Sequence, residues 1–259
     1  MHSPQKSDRL RNVEKSNKVE NLERSDSKSS SRGGGFRRWV TLTYFHIMHG
    51  PPKSDRLRNV EKSNKVENMK GVYVFLADGF EVSEALTTVN MLRRGGVNVK
   101  TVSIYDDRIV TSSNRIPVVA DMAFGEFRAS TTFGACLPTD VMIFPGGMPG
   151  SANLAAFPKL MDIMQEHYAE GGTVAAICAA PSVVLSLLPG LEGKKMTCYD
   201  GFEDALTAKG AEYVKEGVVT DGNIITGRGP GWAVEFGLAI LSHIKGEDIT
   251  AKVKAGLML

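Results

Sequence analysis

Three short runs in this chain carry no charged residue on either side of a strand: Gly71 to Ala77 (GVYVFLA), Val141 to Phe144 (VMIF) and Val174 to Ile177 (VAAI). A strand with one wet face alternates apolar and polar residues. A strand covered on both faces is apolar throughout, the mark of a parallel sheet buried between helices. Helical spacing fills the intervals: Glu81 to Arg94 repeats apolar side chains through Val82, Leu86, Val89 and Leu92, and helices are also expected at 158 to 170, 181 to 188, 232 to 244 and 248 to 255. Further strands are read at Val97 to Tyr105, Lys195 to Tyr199 and Ile224 to Thr226, with a small hairpin over 108 to 120. This alternation predicts an α/β fold, a doubly wound and mostly parallel sheet with helices on both faces, whose sites lie at the carboxyl ends of its strands.

All of these elements fall within residues 69 to 259. Before them, residues 6 to 21 (KSDRLRNVEKSNKVEN) recur without change at 53 to 68. Stacked repeats need three or more units and a face to bury, and this polar unit has neither. Residues 1 to 68 are therefore expected to be a duplicated leader, disordered or artefactual, and 69 to 259 the folded domain. Charge divides the same way. Residues 1 to 68 hold 15 Lys+Arg and 8 Asp+Glu, a balance of +7; subtracting these from the chain totals of 31 and 29 leaves 16 and 21, a balance of −5, for residues 69 to 259. A mildly acidic domain argues against a nucleic-acid footprint, although the sign of the leader's charge would suit a basic arm. A mitochondrial presequence would be almost free of acids, whereas this leader carries Glu14, Glu20, Glu23 and Asp26.

The three cysteines (Cys136, Cys178, Cys198) are odd in number and show no C-x-x-C spacing, which suggests neither a disulfide framework nor a zinc cage. No apolar run reaches membrane-spanning length, and the first thirty residues lack the apolar core of a secretion signal. A soluble, cytoplasmic protein without metal or membrane partner is expected.

The chemistry concentrates on Thr173 to Pro181, TVAAICAAP, where an apolar strand ends on Cys178 and small residues lead into a helix begun by Pro181. A residue at so sharp a strand-to-helix corner projects from the carboxyl end of the sheet, and Ala176 and Ala180 leave room for close approach. A helix N-terminus would favour a thiolate, giving Cys178 a pKa below that of a free cysteine. The competing reading is a buried packing cysteine. Three other strand ends converge on the same rim. In Asp78-Gly79-Phe80-Glu81-Val82-Ser83-Glu84, Glu81 suits a helix cap, whereas Glu84, one turn in and desolvated, would have a raised pKa and could exchange a proton. Pro145-Gly146-Gly147 is either a plain tight turn or presents the Gly147 N–H, which with the Ala179 N–H would form an oxyanion hole. Gly227-Arg228-Gly229-Pro230-Gly231 is either a helix-start turn or a pocket rim. Neither phosphate-binding glycine motif, G-x-G-x-x-G or G-x-x-x-x-G-K-[ST], is present there.

Taken together, Leu76 to Glu84, Phe144 to Gly147, Ala176 to Pro181, Thr226 to Gly231 and Ala251 to Ala255 resemble the ThiJ/PfpI superfamily, in the branch of the Parkinsonism-associated protein deglycase, over essentially all of residues 69 to 259. The resemblance implies a flavodoxin-like three-layer sandwich, a homodimer, Cys178 as nucleophile and Glu84 as its protonated partner. It also implies cofactor-free action on reactive dicarbonyls such as methylglyoxal or on early glycation adducts, or a role as oxidation sensor and chaperone.

The chain departs from that pattern in two places that matter. Tyr199 stands where the human-type proteins carry a histidine, and Ala179 follows the nucleophile where the protease-like members have one. His167 and His243, the two histidines of the domain, fall on helices away from the rim, so a Cys-His-Glu triad is not expected, and neither peptidase nor glutamine amidotransferase activity. The rim is thus read as Gly146, Tyr199, Arg228 and Pro230. Cys198 is either packing or a resolving thiol, and Cys136 is read as inert. Enzyme and redox sensor use the same residues and both readings remain.

Overall fold

The computed structural model describes residues 70–130 and 137–259; the duplicated stretch and Cys136 lie outside them. The strands are β1 (Val72–Leu76), β2 (Val99–Ser103), β3 (Ile109–Thr111), β4 (Pro117–Val119), β5 (Met122–Ala123), β6 (Val141–Phe144), β7 (Thr173–Ile177), β8 (Lys195–Met196), β9 (Glu212–Tyr213), β10 (Val218–Asp221) and β11 (Ile224–Gly227). The helices are α1 (Val82–Arg94), α2 (Phe124–Ser130), α3 (Gly150–Ala155), α4 (Pro158–Ala169), α5 (Ala180–Val183), α6 (Asp204–Thr207), α7 (Ala233–Lys245) and α8 (Glu247–Ala255).

Seven strands form the main sheet in the order β10-β11-β7-β6-β1-β2-β5. All neighbours run parallel except β10, which lies antiparallel to β11 at the edge. The strand order reverses direction between β1 and β6, so a crevice opens there at the carboxyl ends. Each central strand feeds two cores, as the pleat requires. Phe75, Met142, Phe144, Val174 and Ala176 face one helical layer with Phe127, Leu160 and Met164. Val74, Leu76, Ile143, Ala175 and Ile177 face the other with Val89, Leu92, Phe236 and Leu241. The expected flavodoxin-like α/β sandwich is the fold observed. Among the described residues, no helix is long and apolar enough to cross a membrane.

Three expected elements are shorter than their sequence suggests, the first being Val97 to Tyr105, a strand only at Val99–Ser103. The run Lys195 to Tyr199 is a strand only at Lys195–Met196, and it pairs with β9 in a separate two-stranded sheet. Beyond Met196 its donors go elsewhere: the Thr197 N–H to Thr226 Oγ1 at 3.0 Å, and the Tyr199 N–H to the Cys178 carbonyl at 2.8 Å. The helix expected over 181 to 188 is α5 followed by a 3-10 turn at Leu185–Leu187. The hairpin expected over 108 to 120 is present as β3 and β4, whereas the short elements β5, β9 and β10 and helices α2, α3 and α6 carry no periodicity long enough to read.

Candidate active site

The corner after β7 is a strained one. Every residue of β7 is buried, and Cys178, the next residue, has φ 66°, a left-handed conformation that costs a non-glycine residue of order 1–3 kcal/mol. Two neighbours hold it there. Its N–H donates to the Gly227 carbonyl at 2.9 Å, and its carbonyl accepts from the Tyr199 N–H at 2.8 Å. α5 then begins at once, with Pro181 in its first turn. The thiol side of the corner has no spare room: a Cβ on Gly146 would sit 2.5 Å from the Cys178 Cβ and 2.7 Å from Glu84 Oε2.

Glu81 and Glu84 divide two roles between them. Glu81 caps α1, its Oε2 accepting from the Glu84 N–H at 2.7 Å and its carboxylate held further by the Ser83 hydroxyl. Glu84 is fully buried and turned into the crevice, where Oε2 accepts from the Gly146 N–H at 2.8 Å. Its Oε1 is buried with no nitrogen or oxygen partner, and the side chain beside the carboxyl is the Cys178 thiol. Burial pushes the Glu84 carboxyl up to about 7, against the opposing pull of its hydrogen bonds to Cys178 and Gly146.

The thiol does not behave as its helix-start position suggests. Burial first, and then the Glu84 charge and its acceptor oxygen, push Cys178 up to about 12, while the N–H groups of Gly147 and Ala179 aimed at the sulfur pull the other way. α5 has only four residues, too short for much axial field, and the buried carboxyl beside the thiol outweighs it. The expectation of a low-pKa thiol is corrected accordingly: the pair releases one proton near neutrality and holds the second strongly. Glu84 is the member of the pair that burial raises toward neutrality, and it lies against the thiol.

Gly147, on the far side of the sulfur, has φ +86°, and a Cβ there would meet Glu81 N at 2.5 Å and Gly79 O at 2.6 Å. The loops after β1 and β6 therefore touch backbone to backbone, and the Glu81 N–H donates to the Gly146 carbonyl at 2.9 Å to lock them.

Tyr199, Arg228 and Pro230 line an open pocket of about 500 Å³ with Asp200 and Trp232. Cys178 is not among its lining residues, and its walls meet the corner through the Tyr199 N–H and the Gly227 carbonyl. Asp200 was not singled out in the sequence. It binds Arg228 through both oxygens, each at 2.7 Å, and Lys215 at 2.9 Å, and these cations hold its carboxyl well below the usual carboxylate range. A basic and an acidic residue at neighbouring strand ends were the signal available. Cys198 is buried in the core layer opposite the one that Cys178 packs against, which suits the packing reading. His167 and His243 cluster on Thr173, at the start of β7, about 13 Å from its other end at 3.3 Å per residue.

Residues 70–243 match the model of the DJ-1/PfpI family. The chain belongs to the DJ-1/PfpI family. Among this family's proteins, the chain is 33% identical over 190 residues to Protein DJ-1 homolog A of Arabidopsis thaliana, covering 73% of this chain and 47% of that one. It thus spans about half the length of that relative. It is 30% identical to the Glutathione-independent glyoxalase DJR-1.2 of Caenorhabditis elegans, over 69% of this chain and 90% of that one. The structure of oxidized Toxoplasma gondii DJ-1 superimposes with a TM-score of 0.64 at 32% identity, covering 72% and 97% of the two chains. Against this DJ-1/PfpI background, Glu84 is the titratable side chain that meets the Cys178 thiol among the described residues.

Proposed function

We propose that this chain is a cysteine-dependent, cofactor-free enzyme acting on reactive dicarbonyls and early glycation adducts, converting methylglyoxal to lactate. The observation that carries the proposal is the buried Glu84 carboxyl, pushed up to about 7, against a thiol on a strained corner with two N–H donors aimed at it. A base with a pKa near the working pH is the effective one. Kinship with a protein named a glutathione-independent glyoxalase supports the substrate class.

The chemistry balances without an outside oxidant. Sulfur adds to the aldehyde carbon as Glu84 takes the thiol proton, and the new oxyanion is met by the Gly147 and Ala179 N–H groups before it is protonated to a hemithioacetal. Glu84 then removes the hydrogen from that carbon and returns a proton to the neighbouring carbon. The aldehyde carbon is oxidised to a thioester as the ketone is reduced to an alcohol. Water cleaves the C–S bond, giving lactate and the free thiol. The test is lactate formation by the full chain: wild type is expected to make it and Cys178→Ser to make none. Equal turnover in both would end the proposal.

A second reading uses the same atoms. Peroxide would oxidise Cys178 stepwise to a sulfinate, whose oxygens could accept from the Gly147 and Ala179 N–H groups and from protonated Glu84. Likeness to a DJ-1 solved in an oxidized state favours keeping it. Either role suits a reducing, cytoplasmic compartment in which thiols stay free.

We further propose a homodimer and a leader that adds nothing to the fold. In the hairpin, Val110 turns into the core while the cross-strand partners Ile109 and Val119 face outward, 55% and 71% exposed. An apolar pair so exposed fits a covered surface. Light scattering should report a dimer for the full chain and for residues 69–259 alike, and a monomer for Ile109→Asp/Val119→Asp. A monomeric wild type would overturn the dimer, and loss of soluble protein on removing residues 1–68 would overturn the reading of the leader.

A further inference from the structure

We infer, resting on the dicarbonyl chemistry proposed above, that the pocket beside the corner selects oxoaldehydes bearing an aromatic substituent, seated against Tyr199 and Trp232 with Arg228 donating to the carbonyl oxygen beside the ring. Location is the first ground. The Tyr199 N–H is bonded to the Cys178 carbonyl, and the Cys178 N–H to the carbonyl of Gly227, the residue before Arg228. Both walls of the pocket are thus tied to the nucleophile's own backbone. The pocket therefore adjoins the corner, and on this inference the substituent of a carbonyl bound at sulfur extends into it.

Size is the second ground. Methylglyoxal has only a methyl group beyond its two carbonyls, and it would leave most of a pocket of about 500 Å³ empty. Such a volume is ordinary for a site that holds a ring-bearing ligand.

The walls supply the third. Three carbons of the Trp232 indole lie 2.3, 2.4 and 2.5 Å from where a Cβ of Gly217 would be, so the ring covers bare backbone and is fixed there because residue 217 has no side chain. The Tyr199 ring lies 3.4 Å from the corresponding point on Gly229 and packs edge-on to Phe202, with centroids 6.2 Å apart at 82°. Both rings remain exposed, Trp232 by 41% and Tyr199 by 49%. Rigid aromatic faces left open to water gain most when another ring covers them. Arg228 is equally fixed: two of its N–H groups are committed to Asp200, which Lys215 also grips, while Nη1 makes no hydrogen bond among the described residues. An oriented guanidinium with an unspent donor suits a carbonyl or carboxylate oxygen beside the ring.

The experiment compares initial rates on phenylglyoxal and methylglyoxal for the full chain. Wild type is expected to favour phenylglyoxal in kcat/KM, and the ratio of the two values is expected to fall about tenfold in Trp232→Ala and in Tyr199→Ala, the scale of one lost apolar contact in a pocket. Binding is read separately from turnover with benzoylformate, an aromatic keto acid without an aldehyde. In a Trp39→Phe, Cys178→Ser background it should quench Trp232 fluorescence saturably, and Tyr199→Ala should weaken that binding. A kcat/KM ratio unchanged in both variants, or no saturable quenching, overturns the inference while the lactate assay leaves the enzyme reading standing. Saturable quenching with no turnover of either oxoaldehyde has the opposite meaning: the aromatic site holds and the enzyme reading falls.

Discussion

Glu84→Gln is expected to lower methylglyoxal turnover by roughly 10²- to 10⁴-fold, the usual contribution of a positioned general base, while peroxide still oxidises Cys178. Glutamine keeps an acceptor for the Gly146 N–H and a donor toward the sulfur, so shape and hydrogen bonding survive and only the transferable proton is lost. In wild type the working form is the ionised one, so activity should rise as pH passes through about 7, and this inflection should vanish in the variant. Stability runs the other way. A carboxyl raised from 4.5 to about 7 by burial contributes stability that is fully present below the lower value and lost as pH rises through the upper one, up to ~3 kcal/mol in all. The Gln variant lacks that loss, so it should melt close to wild type at pH 5 and several degrees above it at pH 8. Turnover surviving in Glu84→Gln would mean that another group moves the proton, with Tyr199 the first suspect.

Gly147→Ala is expected to cost about 2–5 kcal/mol and to reduce turnover by roughly 10²-fold or more, two effects with one origin. The new Cβ would meet the backbone of Gly79 and Glu81, which cannot swing away as a side chain can, so the loops after β1 and β6 must part. Parting them tilts the start of α1, which carries Glu84, and turns the residue 147 N–H from the sulfur. Gly171 supplies the comparison. Its φ is +90° but nothing lies within 4 Å of its Cβ position, so Gly171→Ala carries the conformational strain without the collision. Thermal melting and the lactate assay on both variants separate the terms. If Gly147→Ala melts with Gly171→Ala and retains full activity, contact between the two loops does not organise the site.

What the sequence disclosed depended on how local the cause was. β1, β6 and β7 were legible because a strand buried on both faces needs an unbroken apolar run, and Cys178 because a corner between strand and helix needs small neighbours. Lys195 to Tyr199 was misread because its apolar alternation is real, but Thr226 and Cys178 claim its backbone N–H groups from distant parts of the chain. The thiol was misjudged for a related reason. A helix start is visible in sequence, whereas the depth of burial and the carboxyl that Glu84 brings from α1 are not. Asp200 and Trp232 acquire meaning only once Arg228 and Gly217 are beside them. The arrangement around the sulfur came from likeness to known sequences more than from spacing.

Around Cys178, the groups among the described residues that meet the sulfur and grip its backbone are main-chain N–H and carbonyl groups of Gly147, Ala179, Tyr199 and Gly227, joined by the Glu84 side chain. Peptide groups are supplied by whatever residue occupies a position, provided the backbone path is kept. The flanking pocket is built the opposite way, from the side chains of Tyr199, Arg228 and Trp232. If the proposed dicarbonyl chemistry holds, substitution at those side chains would exchange one clientele of carbonyl compounds for another while the main-chain groups around the sulfur stay in place, so that new specificities could arise by single mutations without first passing through an inactive protein.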